Sequence, residues 1–167
     1  MTDLTTLVSG LRALSEYVGL LAVTLCLETL IRFEIRFIGL ASQAIEEIDR
    51  VNDTACQTMV DTFHMNIEQR SLGDAIRAVC PFLKHVHACE NDRGAPGSGH
   101  VPWAEVAHAL YEIHYDGPVI LELFTDKVRS IARAAAIWRS FATSQDALLS
   151  EGGKNLRRLL QQSGLEE

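Results

Sequence analysis

The chain has 167 residues, a length suited to one domain with a substantial hydrophobic core. Apolar residues make up 47% and charged residues 22%, which is the ordinary composition of a globular protein. The formal net charge of −7 argues against nucleic-acid and anionic-membrane binding, because both rely on a cationic surface.

Helical and strand patterns alternate from the start of the chain. Apolar residues recur at spacings of three and four through residues 3–19, which predicts an amphipathic helix. A nearly continuous apolar strand follows at Ala22–Glu28, typical of a parallel strand covered on both faces. After a loop rich in Arg and Phe at 29–37, we expect a helix over 40–51 and a strand over Cys56–Asp61.

The same alternation continues through the middle of the chain. Ser71 with Asp74 predicts the start of a helix that runs to about Val79, and Leu83–Cys89 is the third predicted strand. A Gly-rich surface loop spans Glu90–Val101. Pro102 is well placed to begin a helix that runs to about His114, and Val119–Phe124 is the fourth predicted strand.

Two helices are predicted after the last strand. The first is capped by Thr125 and carries an apolar face that extends to Trp138. The second covers 144–162 and is interrupted by Gly152 and Gly153, which together cost about 2 kcal/mol relative to alanine, so we expect it to bend or fray there. Four strands alternating with helices indicate a parallel α/β protein, either an open sheet or a β/α barrel.

Each predicted strand ends with, or carries near its end, a residue of a type that binds metals: Glu28, Asp61, His87 and Glu122. In a β/α barrel the carboxyl ends of the strands form the active-site face, so four consecutive strands would bring these side chains together. Three carboxylates and one imidazole favour Mn²⁺ or Mg²⁺, with Co²⁺ able to substitute. A buried ion pair could account for any one of these residues alone. Four separate ion pairs at four strand ends are a weaker explanation than one shared metal site. His85 shares the strand face of His87 and is interpreted as an interior histidine.

The four cysteines show no CxxC spacing and lie among apolar residues. They are therefore expected to be reduced thiols of a cytoplasmic protein. The apolar stretch at 18–30 is too short to cross a bilayer, and Asp3 without a basic region disfavours a signal peptide.

Four sequence stretches resemble the ketose 3-epimerases, the D-tagatose and D-psicose 3-epimerases among the xylose-isomerase-like TIM-barrel sugar isomerases. The stretches are LETLIRFE at 27–34, DTFHMNIE at 61–68, HVHACENDRGAPGSGH at 85–100 and ELF at 122–124. The resemblance implies one divalent metal, usually Mn²⁺, held by Glu28, Asp61, His87 and Glu122. It further implies substrate hydroxyl contacts from Glu34, His64 and Arg93.

The resemblance also implies a reaction. Two glutamates, Glu28 and Glu122, would exchange the proton at C3 of a free ketose through an enediolate, with the metal as Lewis acid. An aldose–ketose or hydroxypyruvate-type isomerase on the same fold and a non-catalytic half-barrel remain alternatives. The chain departs from the family at Thr29 and Ile31, where Pro and Asn are usual, and at Gly39-Leu40, where the family has an Asn-Thr helix cap.

Length is the larger departure, because a complete barrel has eight strands and typically about 250 residues. The four predicted strands match the second half of the family's barrel, so residues 1–167 are expected to form that half, with four βα units. Isolated, such a half exposes two strand edges and one side of an apolar core. We therefore expect a homo-oligomer, a pairing with the missing half-barrel, or a fragment.

Overall fold

The computed structural model describes residues 2–162. The seven helices there are α1 Thr2–Gly19, α2 Ala41–Val51, α3 Thr62–Glu68, α4 Leu72–Val79, α5 Trp103–Glu112, α6 Arg129–Ala134 and α7 Gln145–Gln161. The four strands are β1 Leu25–Glu28, β2 Cys56–Asp61, β3 Leu83–Ala88 and β4 Val119–Leu121. No helix of this described part is long and apolar enough to cross a membrane.

The strands form one parallel sheet in the sequential order β1-β2-β3-β4. Sequential parallel strands with helical crossovers are the repeating unit of a β/α barrel, and four of them make half of the eight-stranded closure. The predicted half-barrel is thus confirmed. Within the described residues β1 and β4 each pair on one side only, so the sheet has two open edges.

Alternation along the strands separates a helix-covered face from an open one. Val60, Val86 and Leu121 point to the helices and join the main hydrophobic core with residues of α4 and α5. The residues between them point the other way: His87 aligns with Ile120, whose exposed fraction is 46%. The open face is therefore the concave side of the half-barrel, which carries the strand-end residues.

Several predicted boundaries are confirmed. The strand Cys56–Asp61 has its predicted limits, and Ser71 caps α4 by accepting a hydrogen bond from the Asp74 N–H at 3.0 Å. The missing family cap at Gly39-Leu40 is replaced by Gln43, whose side-chain oxygen accepts from both backbone N–H groups at 3.0 Å. Helix α2 is therefore anchored at its start despite the departure.

Other boundaries were predicted wrongly. β1 begins at Leu25 rather than Ala22, because the chain turns through Ala22, whose φ is +54°, and leaves Leu20 86% exposed. β4 ends at Leu121 instead of Phe124. Helix α3 was missed; it begins directly at the end of β2, where Asp61 accepts from the Phe63 N–H at 2.7 Å.

The two C-terminal helices also differ from prediction. The long helix expected from Thr125 is reduced to the six residues of α6, none of which is buried. Within the described residues its apolar side chains stay exposed: Val128 and Ile131 are 39% and 40% exposed, and Trp138, beyond the helix, is 85% exposed. The expected bend at Gly152 and Gly153 is absent, since α7 is continuous; Gly152 is buried where α7 crosses β4.

Candidate metal centre at the strand ends

The four strand-end residues do converge at the carboxyl edge of the sheet. The Nδ1 atom of His87 lies 3.6 Å from a carboxylate oxygen of Glu122. It lies 3.9 Å from a carboxylate oxygen of Glu28 and also 3.9 Å from one of Asp61. The parallel register explains this, because Asp61 pairs with His87 across β2 and β3. The Glu122 N–H donates to Ala88 O at 3.2 Å, which extends the same alignment past the end of β4.

Potential ligand atoms gather in two overlapping triads whose members lie within 4.8 Å of one another: Asp61, His87 and Glu122, and Glu28, Asp61 and His64. The Nδ1 atom of His87 is buried and has no hydrogen-bond partner among the described residues. A buried ring nitrogen without a partner, aimed at three carboxylates, fits a cation-binding site. This donor set fits a hard divalent metal ion.

A positive side chain enters the same cluster. The Arg93 guanidinium donates from one Nη atom to the carboxylates of both Asp61 and Glu122, and it stacks on Phe63 with 4.0 Å to the ring centroid. Phe124 covers it from a second side at 4.7 Å. Arg93 is 4% exposed, so its charge is buried against those carboxylates. Arg93, predicted to contact substrate, therefore lies against two of the four strand-end carboxylate and imidazole side chains.

His64 is fixed between the loop after β1 and Arg93. Its Nδ1 atom accepts from the Ile31 N–H at 3.2 Å, and its Nε2 atom lies 3.0 Å from an Arg93 nitrogen and 4.0 Å from Glu28. Burial and then the Arg93 charge lower the pKa of His64 to about 4, so the ring is neutral at physiological pH. A neutral imidazole at this place can exchange hydrogen bonds with a polar ligand.

Two carboxyl groups of the cluster, those of Glu28 and Glu122, have raised pKa values. Burial, with the neighbouring Asp61 and Glu122 charges, raises the pKa of Glu28 to about 7. Burial also raises the pKa of Glu122 and lowers that of His87. A carboxyl whose pKa lies near neutrality can both take and return a proton, which suits general acid–base chemistry.

Glu34 is the predicted site residue that the structure does not bring into the cluster. It is exposed in the loop after β1, and its charge makes only a small upward contribution to the pKa of Glu28. His85, which was interpreted as an interior histidine, is only partly buried, and its ring centroid lies 4.8 Å from that of His87.

Two residues near the site were not identified from sequence. The Thr62 hydroxyl joins β2 to β3, donating to Cys89 O at 2.7 Å and accepting from Cys89 N–H at 3.0 Å. Glu90 is fully buried directly after β3, at the start of the Gly-rich loop. The position of Glu90 in the sequence could have identified it. An acidic residue between a buried strand and a glycine-rich loop is placed to accept hydrogen bonds from the backbone N–H groups of that loop.

A cavity of about 870 Å³ lies away from this cluster, between the loop after β1 and helices α2 and α4. Its walls include Arg32 and Glu68, which pair at 2.9 Å, but none of the strand-end residues. Size alone therefore does not identify it as the reactive site, because the convergent titratable groups lie elsewhere.

Comparisons with known proteins agree with the fold described above. A family model described as xylose isomerase-like TIM barrel matches residues 2–159. D-psicose 3-epimerase of Agrobacterium fabrum is 37% identical over 149 residues, which are 89% of this chain and 52% of that protein. The crystal structure of D-psicose 3-epimerase with D-tagatose from Clostridium cellulolyticum H10 superposes with a TM-score of 0.89 at 32% identity, over 95% of this chain and 56% of that one.

A structure of L-ribulose 3-epimerase also superposes with a TM-score of 0.89, at 30% identity over 93% of this chain and 53% of that chain. The chain spans about half the length of the curated relatives it matches.

Proposed function

The chain belongs to the xylose isomerase-like TIM barrel family, and from that premise we propose that it is half of a metal-dependent ketose 3-epimerase. The observation that carries the proposal is the convergence of Glu28, Asp61, His87 and Glu122 at the strand ends. Relatives named as ketose 3-epimerases support the choice of reaction. The assignment to the second half of the barrel is part of the proposal.

Those four residues would hold one divalent ion, with Mn²⁺ preferred and Mg²⁺ or Co²⁺ possible. When bound, the ion supplies Lewis-acid stabilisation of the negative charge that develops on the ketose oxygens. Glu28 and Glu122 act as the acid and base that remove and return the proton at C3, so that the sugar passes through an enediolate.

In this proposal the residues around the carboxylates bind the sugar. The neutral His64 ring and the Arg93 guanidinium point into the cluster and would hydrogen-bond to substrate hydroxyls. Glu34 would join them from the loop after β1. A free ketose fits this set of donors and acceptors, since each hydroxyl both donates and accepts.

The partners follow from the open sheet. We propose a homo-oligomer or a pairing with the missing half-barrel, because both edges and the concave face are unpaired within the described residues. The net charge of −7 argues against nucleic-acid and membrane partners. A cytoplasmic location is part of the same proposal.

Solvent exchange tests the reaction. The chain is incubated with Mn²⁺ and D-psicose, D-tagatose or D-fructose in D₂O, and deuterium is located on the sugar by NMR. We expect label at C3 that is lost in Glu122→Gln and kept in Glu46→Gln, a control carboxylate exposed on α2. Label at C1 or C2 would indicate an aldose–ketose isomerase. No label despite bound metal would indicate a non-catalytic half-barrel.

A further inference from the structure

We propose that Glu90 is a positioning residue: its buried carboxylate holds the loop 90–101 so that Arg93 reaches the acidic cluster. The effect of Glu90 on catalysis rests on the function proposed above, whereas its effect on Arg93 does not. Among the described residues, the side-chain hydrogen bonds of Glu90 all lie within the loop and the start of α5, and none joins it to the strand-end carboxylates or His64.

The Glu90 carboxylate is fully buried, and its partners are N–H groups rather than a cation. One oxygen accepts from the Gly97 N–H at 2.6 Å and from the Trp103 indole at 2.7 Å. The other accepts from the Val101 N–H at 3.1 Å and the Asn91 N–H at 3.4 Å. A buried carboxylate is tolerated only when such donors replace water, so the loop and α5 are fastened to this one group.

Arg93 lies in the turn that Glu90 begins. The Arg93 N–H donates to Glu90 O at 2.9 Å, and the Glu90 N–H donates to Gly94 O at 3.0 Å. Arg93 adopts a left-handed φ of +69°, an unfavourable conformation for a side-chain-bearing residue that persists only when its surroundings fix it. The Phe124 N–H donates to Arg93 O at 3.1 Å and links the turn to the end of β4.

The path of the loop is fitted closely to the carboxylate. A Cβ atom at Gly99 would lie 2.6 Å from a Glu90 oxygen and 2.3 Å from the Asn91 side-chain oxygen. The backbone at Gly99 therefore passes over both acceptors with no room for a side chain. Loss of the Glu90 acceptors would release this segment together with the turn that presents Arg93.

Two variants separate this role from a general effect on stability. Glu90→Gln keeps the size of the side chain but replaces one acceptor oxygen with an amide NH₂ group. This change breaks two of the four hydrogen bonds and places the amide N–H groups against the N–H donors of the loop. Trp103→Phe is milder, because it removes one donor and keeps an aromatic ring in the core. Glu47→Gln is the control: Glu47 is also buried, at 4% exposure, but pairs with Arg50 on α2.

Chemical labelling measures the position of Arg93 without reference to activity. Folded protein is treated with an arginine-selective dicarbonyl reagent, and modification at Arg93 is followed by peptide mass spectrometry, with the exposed Arg36 as internal reference. We expect Glu90→Gln to raise the Arg93 rate about tenfold and Trp103→Phe to raise it less, with no change in Glu47→Gln. Unchanged protection of Arg93 in both Glu90→Gln and Trp103→Phe would overturn the proposal.

Exchange at C3 then tests the catalytic consequence. If the unsubstituted protein exchanges deuterium, Glu90→Gln should lower kcat/KM about tenfold, but should add little to Arg93→Lys, because both changes act through one guanidinium. Equal losses in the two backgrounds would contradict action through Arg93. If the unsubstituted protein exchanges no deuterium, the proposed function fails, and the labelling result still decides the role of Glu90.

Discussion

At the residue scale, the site is organised by opposite charges buried together. Asp61 is fully buried and is contacted by the Arg93 guanidinium and by the Phe63 N–H, so it serves both the acidic cluster and the start of α3. Burying such a pair gives little net stability, but removing one partner leaves an uncompensated charge. The cluster is therefore sensitive to neutralisation of a single member even before any ligand binds.

Substitution Asp61→Asn tests this dependence. We expect the free energy of unfolding to fall by about 3 kcal/mol, because the buried Arg93 charge loses one of its two carboxylate partners and keeps only Glu122. Urea unfolding in the presence of a chelator measures the change free of metal effects. Asp74→Asn, whose side chain is 80% exposed on α4, is the control. Equal losses in the two variants would mean that the buried pair is not formed.

At the element scale, single contacts join the strand ends. Thr62 follows β2 directly, and its hydroxyl spans to both backbone groups of Cys89 after β3. This contact fixes the spacing between Asp61 and His87, which come from the same two strands. Helix α7, in turn, packs on β4 through Gly152, where a small residue permits close approach.

Replacing Thr62 with Val removes the hydroxyl at nearly constant volume. We expect a loss of about 1–3 kcal/mol in unfolding free energy, because the buried Cys89 N–H and C=O lose their partner. Thr62→Ser keeps the hydroxyl and should lose clearly less. Thermal and urea unfolding of both variants give the comparison, and equal stability of Thr62→Val and Thr62→Ser would argue against the contact.

The two adjacent glycines of α7 make a matched pair. A Cβ at Gly153 has no atom nearer than 4.0 Å, so Gly153→Ala should stabilise the protein by about 0.5–1 kcal/mol through helix propensity. A Cβ at Gly152 would lie 2.8 Å from Leu123, so Gly152→Ala must displace that side chain and should forfeit the gain. Unfolding midpoints of the two variants test this difference. An equal gain in stability for Gly152→Ala and Gly153→Ala would show that α7 does not pack closely on β4.

Only part of the fold and of the site could be predicted from the sequence. The strand ends and their shared register were predictable, because strand periodicity and parallel order place Asp61 and His87 side by side. Helix α6 was overpredicted because its apolar side chains remain exposed among residues 2–162, and local pattern alone does not stabilise a helix. The contact of Arg93 with the carboxylates depends on the loop built around Glu90, and such packing leaves no periodic signal.

At the scale of the whole molecule, the chain is a half-barrel with an open concave face. Ile120 is 46% exposed there, and elsewhere on the molecule Leu20 and Trp138 are 86% and 85% exposed. Unpaired strand edges beside exposed apolar side chains favour association. The described fold therefore presents more apolar surface than a closed barrel would leave to solvent.

We expect the purified chain to associate, and light scattering coupled to size exclusion should give a mass above that of one chain that rises with concentration. Ile120→Lys should weaken this association, since it places a charge on the open face. Leu149→Lys, at a 60% exposed position on α7, should not. A mass of one chain at every concentration would contradict the prediction.

Titration with Mn²⁺, followed by electron paramagnetic resonance, measures whether the four strand ends hold one divalent metal as proposed. We predict one tight site per chain, weakened more than about tenfold in His87→Gln and unchanged in His108→Gln, a histidine exposed on α5. No tight site in the unsubstituted protein, or equal affinity in the two variants, would contradict the account.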